Sequence, residues 1–155
     1  MKQNIHVVAR AVVIDEGQIL LCKTIGLSPD FFFLPGGHIE QNESAEQAVL
    51  RELKEESGFA FSIRRFLGCL EHSFEPGKNS ICHSHECNLI FEAYSPAVRA
   101  SQPIPQLEEQ IELLWMPLVQ LNNIDLRPEP FKTLVEKWLA QDMNQAFQSH
   151  MEYTK

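Results

Sequence analysis

Three glutamates near the middle of the chain have a spacing that suits metal chemistry. Glu52, Glu55 and Glu56 occupy positions i, i+3 and i+4, so in a helix their carboxylates project from one side. Like charges at this spacing destabilise an exposed helix by roughly 0.2–0.5 kcal/mol per pair. A hard divalent cation such as Mg²⁺ takes oxygen ligands and commonly bridges carboxylates to substrate phosphates. The cluster therefore indicates a metal-dependent phosphate site or, in the simpler interpretation, a solvated helix surface.

The residues around these glutamates predict how they are positioned. Ser44 to Ser57 is expected to be a helix, because Ser44 and Gln47 form a capping-box pattern and Gly58 stands where a C-cap glycine belongs. Gly36-Gly37 gives a loop that can turn sharply and offer backbone carbonyl oxygens to a metal ion. The local pattern is thus glycine loop, helix, glycine.

This segment resembles the Nudix box. Residues 36–60 read GGHIEQNESAEQAVLRELKEESGFA, and every fixed position of the box is filled at the right spacing. The matching residues are Gly37, Glu43, Arg51, Glu52, Leu53, Glu55, Glu56, Gly58 and Phe59. The lead-in Phe33-Leu34-Pro35 and the later Trp115-Met116-Pro117-Leu118 are similar to the family more loosely.

The resemblance implies an α+β Nudix fold with a mixed β-sheet sandwiched between α-helices, formed by residues 1–155 as a single hydrolase domain. It implies Mg²⁺-dependent hydrolysis of a diphosphate bond in a nucleoside diphosphate linked to another moiety, with Mn²⁺ as an alternative metal. The bound metal would neutralise the diphosphate and lower the pKa of the attacking water. The partner implied is a small nucleotide, and the family also allows a homodimer.

The resemblance also assigns roles. Glu52, Glu55 and Glu56 are the implied catalytic and metal-binding set, and the Gly37 carbonyl is a further candidate ligand. Glu43 and Arg51 are expected to brace the loop and the helix.

The general base stays open between several carboxylates. Glu52 is the first candidate. A later glutamate near the metal is common in the family, so Glu108 or Glu109 is also a candidate, with Glu109 named as a metal ligand and Glu86 as the runner-up. The alternative for each of these three is an ordinary surface glutamate.

Two further regions are candidates for binding. Residues 82–87, CHSHEC, contain zinc-ligand types, but Cys82 and Cys87 would point to opposite faces of an extended strand. The alternative is a strand with His83, His85 and Cys87 on one face, where His85 could contact substrate. Arg10, in the first strand, is either a substrate contact or a surface arginine.

The remaining elements follow from periodicity and turn residues. The opening predicts a hairpin of strands 5–14 and 18–23, and residues 31–34 a short buried run. Further strands are expected within 59–74, over 82–94 and, as the last strand, over 112–116. A helix over 131–140 carries apolar residues at helical spacing, and the chain is expected to fray from Ser149.

Composition excludes some classes of function. The net charge of −8 and pI of about 5.2 argue against a DNA-binding surface. We see neither a targeting segment nor an apolar run of transmembrane length, so no membrane partner is expected. The four cysteines are sparse, which favours reduced thiols and a cytoplasmic location.

Two other functions compete with hydrolysis. A non-catalytic Nudix-fold module could sense a nucleotide without cleaving it, although such modules usually carry an effector domain. An isomerase on the same fold is the third hypothesis, since fold does not fix function. The sequence does not choose among nucleoside triphosphates, nucleotide sugars, dinucleoside polyphosphates and capped RNA, although the small size and acidic charge favour free nucleotides.

Overall fold

The computed structural model describes residues 5–73, 85–141 and 145–151. The predicted loop at 74–84, together with Cys82 and His83, lies outside the described residues.

In the part of the chain that the structure describes, nine strands form two sheets. The strands are β1 (Ile5–Val12), β2 (Ile14–Asp15), β3 (Gln18–Thr24), β4 (Phe32–Phe33), β5 (Gly36–His38), β6 (Ser62–Ser73), β7 (His85–Tyr94), β8 (Ile111–Pro117) and β9 (Phe147–His150). The five-stranded sheet has the order β5-β1-β7-β6-β9, with β1 parallel to β7 and β9 parallel to β6. In the four-stranded sheet, β3 pairs antiparallel with β2, β4 and β8.

Helices cover both faces of these sheets. The helix α1 (Ala45–Ser57) packs into one apolar cluster, and α2 (Phe131–Leu139) packs into a second one; a 3₁₀ helix spans Leu118–Asn123. Along β3, Leu20 belongs to the first cluster, whereas Ile19 and Leu21 belong to the second, because successive side chains of a strand point to opposite faces. The fold is therefore α+β, with a mixed sheet between helices, as expected.

The first strand was assigned the wrong partner by the hairpin prediction. Residues 5–14 do not form one strand; only Ile14–Asp15 pairs with β3. The longer β1 lies instead in the five-stranded sheet between β5 and β7, where Ala9 and Val12 are buried on opposite faces. Burial on both faces requires neighbouring strands and helices that a local hairpin does not supply.

The C-terminal prediction was also wrong in part. The helix over 131–140 is confirmed as α2, but β8 is not the last strand. Ser149 lies within β9, which pairs with β6 instead of fraying. The indole of Trp138 donates to the Gln145 carbonyl at 2.6 Å, and the Cys69 amide donates to the Ala146 carbonyl at 2.7 Å. These bonds fix the strand to the sheet.

The phenylalanine run is only partly buried. Leu34 is fully buried, but Phe31, Phe32 and Phe33 are half-buried. Within the described ranges, no helix is long and apolar enough to cross a membrane.

Candidate active site

The acidic helix α1 is fixed at both ends by its own sequence. Ser44 is the N-cap, and it exchanges hydrogen bonds with Gln47 in the predicted capping box. Gly58 ends the helix in the left-handed region, at φ 80°. Ala48, Val49 and Leu53 are buried against the sheet, so the face opposite solvent is apolar. Local signals thus set the length of the helix and which side it buries.

Glu56 points into the protein. It is one of the few buried charged residues, and its Oε1 accepts the Gly36 amide at 3.5 Å. The Cys22 thiol lies 3.9 Å from its Oε2. Burial raises the pKa of Glu56 to about 8, with the negative charge of Glu52 adding to the rise and the Gly36 amide and Arg10 opposing it. The same burial raises the pKa of Cys22 well above its ordinary value.

Glu52 lies against Gly37, which has no side chain to obstruct it. A Cβ built on Gly37 would stand 2.5 Å from Cδ and Oε1 of Glu52. Burial raises the pKa of this carboxyl also, and the hydrogen bond from Arg51 opposes the rise. Gly36 and Gly37 lie in β5 and not in the loop predicted for them, so it is this strand that meets the acidic helix at the Glu52 carboxylate.

Arg51 connects the carboxylates of the helix and the loop. It donates to both oxygens of Glu43, at 2.7 and 3.1 Å, and to Glu52 at 2.9 Å. Contacts to Glu55 are longer, at 3.4 Å, and a further bond of 3.2 Å goes to the His38 carbonyl. The pKa of Glu43 is lowered by this guanidinium. Arg51 and Glu43 thus occupy the bracing positions predicted for them.

The three glutamates of the helix differ in environment. The Glu55 side chain is 54% exposed, and that of Glu52 is 20% exposed. Glu56 is the innermost of the set. The helical spacing places them on one side, but only the packing of α1 decides which carboxylate faces the protein.

Of the two loop glutamates, Glu108 lies closer to the site. Its negative charge raises the pKa of Glu52, Glu56 and Cys22. Glu109 is not among the largest electrostatic influences on these three groups. The electrostatics therefore favour Glu108 over Glu109, the residue that was named as a metal ligand.

Arg10 is neither a free surface arginine nor remote from the glutamates. It donates to Asn88 Oδ1 at 3.2 Å and to the Leu34 carbonyl at 2.9 Å, and its guanidinium lies 5.7 Å from the centre of the Phe33 ring. Its positive charge lowers the pKa of Glu56. Arg10 therefore stands at the rim of the acidic site.

Glu86 is linked to the site through Asn88, and His85 lies further along the same strand. The Glu86 carboxylate accepts a hydrogen bond from Asn88 at 3.5 Å, and Asn88 in turn accepts from Arg10. In the β1–β7 register Arg10 is opposite Ile90, whereas His85 is opposite Ile5, five residues away along the strand. At about 3.3 Å per residue this separation is roughly 16 Å. The assignment of His85 as a substrate contact stays a prediction.

The chemistry of the donor set fits a hard divalent cation. Among the residues that the structure describes, no three His, Cys, Asp or Glu side chains form a finished metal-ligand group. The negative charge of Glu52, however, raises the pKa of Glu56, and that of Glu55 raises the pKa of Glu52. Glu108 adds to both rises. A cation bound by carboxylate oxygens would offset this repulsion. Of the zinc-type ligands predicted at 82–87, Cys82 and His83 lie outside the described residues.

The sequence did not predict which residues contact Glu56 and Arg10 inside the site. Gly36 was recognised for its conformational freedom, but its amide contact with Glu56 was not predicted. Cys22 and Asn88 gave no signal, because nothing in their local sequence indicates which helix or arginine they will face.

Comparisons with known proteins agree with this geometry. The profile of the NUDIX domain matches residues 4–137. An 8-oxo-dGTP diphosphatase of Proteus vulgaris is 32% identical over 75 residues, which cover 47% of this chain and 67% of that protein. An ADP-ribose pyrophosphatase of Methanocaldococcus jannaschii is 49% identical over 37 residues, covering 24% of this chain and 22% of that protein. A matching Caenorhabditis elegans protein is covered over 20% of its length, so the chain spans only a small part of two of these relatives.

The fold is shared with solved structures. The crystal structure of a MutT protein from Methanosarcina mazei superposes with a TM-score of 0.68 at 20% identity, covering 92% of this chain and 99% of that one.

Proposed function

This chain belongs to the Nudix family, and we propose that it hydrolyses a diphosphate bond in a nucleoside diphosphate linked to another moiety, with Mg²⁺ as its cofactor. The observation that carries the proposal is the close approach of Glu52 and Glu56 to Gly36 and Gly37 of β5 at one partly buried point. The named relatives support the reaction class, since one is called a diphosphatase and another a pyrophosphatase.

Each residue has a proposed role. Glu52 and Glu56 hold the metal with the Gly37 carbonyl, and Glu55, more exposed, completes the acidic set from the solvent side. Glu52 is the candidate base, with Glu108 as the alternative. A bound Mg²⁺ would neutralise the diphosphate and lower the pKa of water at the site.

Arg10 and Arg51 act differently in this proposal. Arg10 has a fixed orientation from its bonds to Asn88 and the Leu34 carbonyl, and it offers positive charge at the rim to an anionic substrate. Arg51 keeps Glu52 and Glu43 in place. Arg51 is therefore a positioning residue.

The experiment is a hydrolysis screen with Mg²⁺ or Mn²⁺. Nucleoside triphosphates, 8-oxo-dGTP, ADP-ribose, UDP-sugars and dinucleoside polyphosphates are incubated with the protein, and the products are separated by chromatography. Glu56→Gln tests the site, and Glu46→Gln, which removes the same charge from an exposed position of the same helix, is the matched control.

Metal-dependent cleavage that falls more than about 10²-fold in Glu56→Gln and persists in Glu46→Gln is the expected result. Tight binding with unchanged nucleotide recovered would instead favour a sensing module. Cleavage that is equally lost in both variants would contradict the assignment of Glu56. A comparison of Glu108→Gln with Glu109→Gln then tests which loop glutamate contributes.

Three features stay predictions: residues 1–155 as one catalytic domain, a cytoplasmic location, and a homodimer.

A further inference from the structure

We propose that Cys69 and Cys87 are a redox-active pair, a site of oxidative modification that closes to an intrachain disulfide. Their sulfur atoms lie 3.5 Å apart across the β6–β7 ladder, close enough for either thiol to donate to the other. This pair lies outside the acidic site, and the inference does not depend on the proposed hydrolysis.

The strand register places both side chains on the same face of the sheet. Cys69 is opposite Leu89, and Cys87 is opposite Glu71, so the two cysteines are diagonal neighbours on adjacent antiparallel strands. Diagonal neighbours on one face are within reach of each other's side chains. From Cys69 to Ser73 the ladder continues without a shift in register. The pairing of the backbones is therefore regular between the two cysteines, and the register shift between Phe66 and Gly68 ends just before Cys69.

Closure needs only a small movement. A disulfide bond is about 2.05 Å long, so the sulfur atoms must approach by about 1.5 Å. Diagonal neighbours in a ladder are about 7–8 Å apart, at the upper end of what a disulfide spans, so closure combines side-chain rotation with a small shift of the two strands. Both cysteines are half-buried, so a small oxidant can reach them, whereas Cys22 is fully buried in the core.

The oxidant we assign is a peroxide. The Cys87 sulfur attacks a peroxide oxygen, the O–O bond breaks, and a sulfenic acid and water form. The Cys69 sulfur then attacks the sulfenic sulfur, the S–S bond forms, and the S–O bond breaks with release of a second water that carries the Cys69 proton. The two electrons from the pair of thiols reduce one peroxide to water.

The pKa of Cys69 sets its place in this order of steps. Burial, together with its hydrogen bond to Cys87, raises the pKa of Cys69 to about 12. Because the thiolate is the nucleophile, Cys69 reacts slowly with free peroxide, and we assign it the second attack, in which it loses its proton as it bonds to the adjacent sulfenic sulfur. The 3.5 Å separation then makes the intrachain attack faster than any encounter with a second chain.

The test uses the full chain in a Cys82→Ser background, because the sequence holds a fourth thiol at Cys82 that could compete. The reduced protein is treated with a stoichiometric amount of hydrogen peroxide. We expect the mass to fall by about 2 Da per chain, from the loss of two thiol hydrogens. Peptide mapping should recover residues 69 and 87 in one cross-linked peptide, with Cys22 reduced.

Two single variants, Cys69→Ser and Cys87→Ser, are the matched controls, since each keeps one thiol and changes one atom. Neither should lose 2 Da within the chain. A closed disulfide between strands also restricts the unfolded chain, so Tm should rise by several degrees on oxidation and return on reduction. The controls should show no such reversible rise.

The proposal is overturned if the treated protein keeps all its thiols while Cys69 and Cys87 remain open to alkylation after unfolding. It is equally overturned if peptide mapping finds each sulfur in cross-links between chains. The treatment is then repeated with Cys82 restored. A disulfide formed mainly with Cys82 would show that the assignment of Cys69 to Cys87 is wrong.

Discussion

The contact between Gly37 and Glu52 predicts that a single added methyl group will disable the site. Gly37 does not lie in the left-handed region, so the backbone accepts alanine there without strain. The new Cβ, however, would stand 2.5 Å from the Glu52 carboxylate. Ordinary van der Waals contact begins near 3.4 Å, so the carboxylate must retreat by about 0.9 Å.

A displacement of about 1 Å in a catalytic constellation can cost roughly 10²-fold in rate. We therefore expect kcat of Gly37→Ala to fall by about 10²-fold. Because the Glu52 side chain is partly exposed and can move toward solvent, the Tm should change little. The assay is steady-state hydrolysis of the best substrate from the screen, with thermal unfolding measured in parallel.

A double-mutant cycle makes the reasoning falsifiable. Glu52→Gln keeps the size of the side chain and removes its charge. If the alanine acts by displacing this carboxylate, Gly37→Ala should lower kcat far less in the Glu52→Gln protein than in the protein that keeps Glu52. The argument is refuted if the kcat losses of the two single variants multiply in the double variant. It is also refuted if Gly37→Ala keeps full activity.

Three further changes test other parts of the structure. Arg51→Met removes the bidentate contact with Glu43 and should lower the midpoint of urea unfolding; an unchanged midpoint would show that the network does not stabilise the helix. In the metal-free protein Glu56 has a folded-state pKa of about 8 against 4.5 unfolded, so the stability that it contributes is present below pH 4.5 and is lost as pH rises through 8. This loss is at most about 5 kcal/mol, and Glu56→Gln should flatten the profile of unfolding free energy against pH over that window; an equally steep profile in the variant would assign the loss to other groups. Gly68→Ala would place a Cβ 2.5 Å from the Trp138 indole nitrogen and should destabilise the fold by about 1–3 kcal/mol, measured by thermal unfolding, unless the indole can move at no cost.

How much could be predicted from the sequence depended on distance along the chain. The capping box of Ser44 and the left-handed Gly58 are local devices, and both are confirmed. The partners of β1 are not local: β7 begins more than seventy residues after β1 ends, and no turn residue indicates that pairing. A hairpin was the natural local alternative, and it was wrong for that reason.

In the candidate site, too, local features were predictable from the sequence and contacts between distant residues were not. Helical spacing predicts that Glu52, Glu55 and Glu56 share a side, but their exposures are set by contacts with Gly36 and Gly37 on a separate strand. Likewise, the choice between Glu108 and Glu109 depends on how a loop lies over the helix. Those facts belong to tertiary packing, which residue types alone do not specify.

The parallel pairing of β1 with β7 has a consequence for the order in which the chain can fold during synthesis. The α1 helix and the β2–β3 turn involve neighbouring residues and can form early. The strand β1 cannot complete its pairing with β7 until residue 92 is available. At about 5–20 residues per second, the roughly eighty residues between the paired positions take about 4–16 s to synthesise. For that time the apolar Val8, Ala11 and Val12 have no β7 to pair with, so the emerging N-terminal segment is where a chaperone would have most to bind.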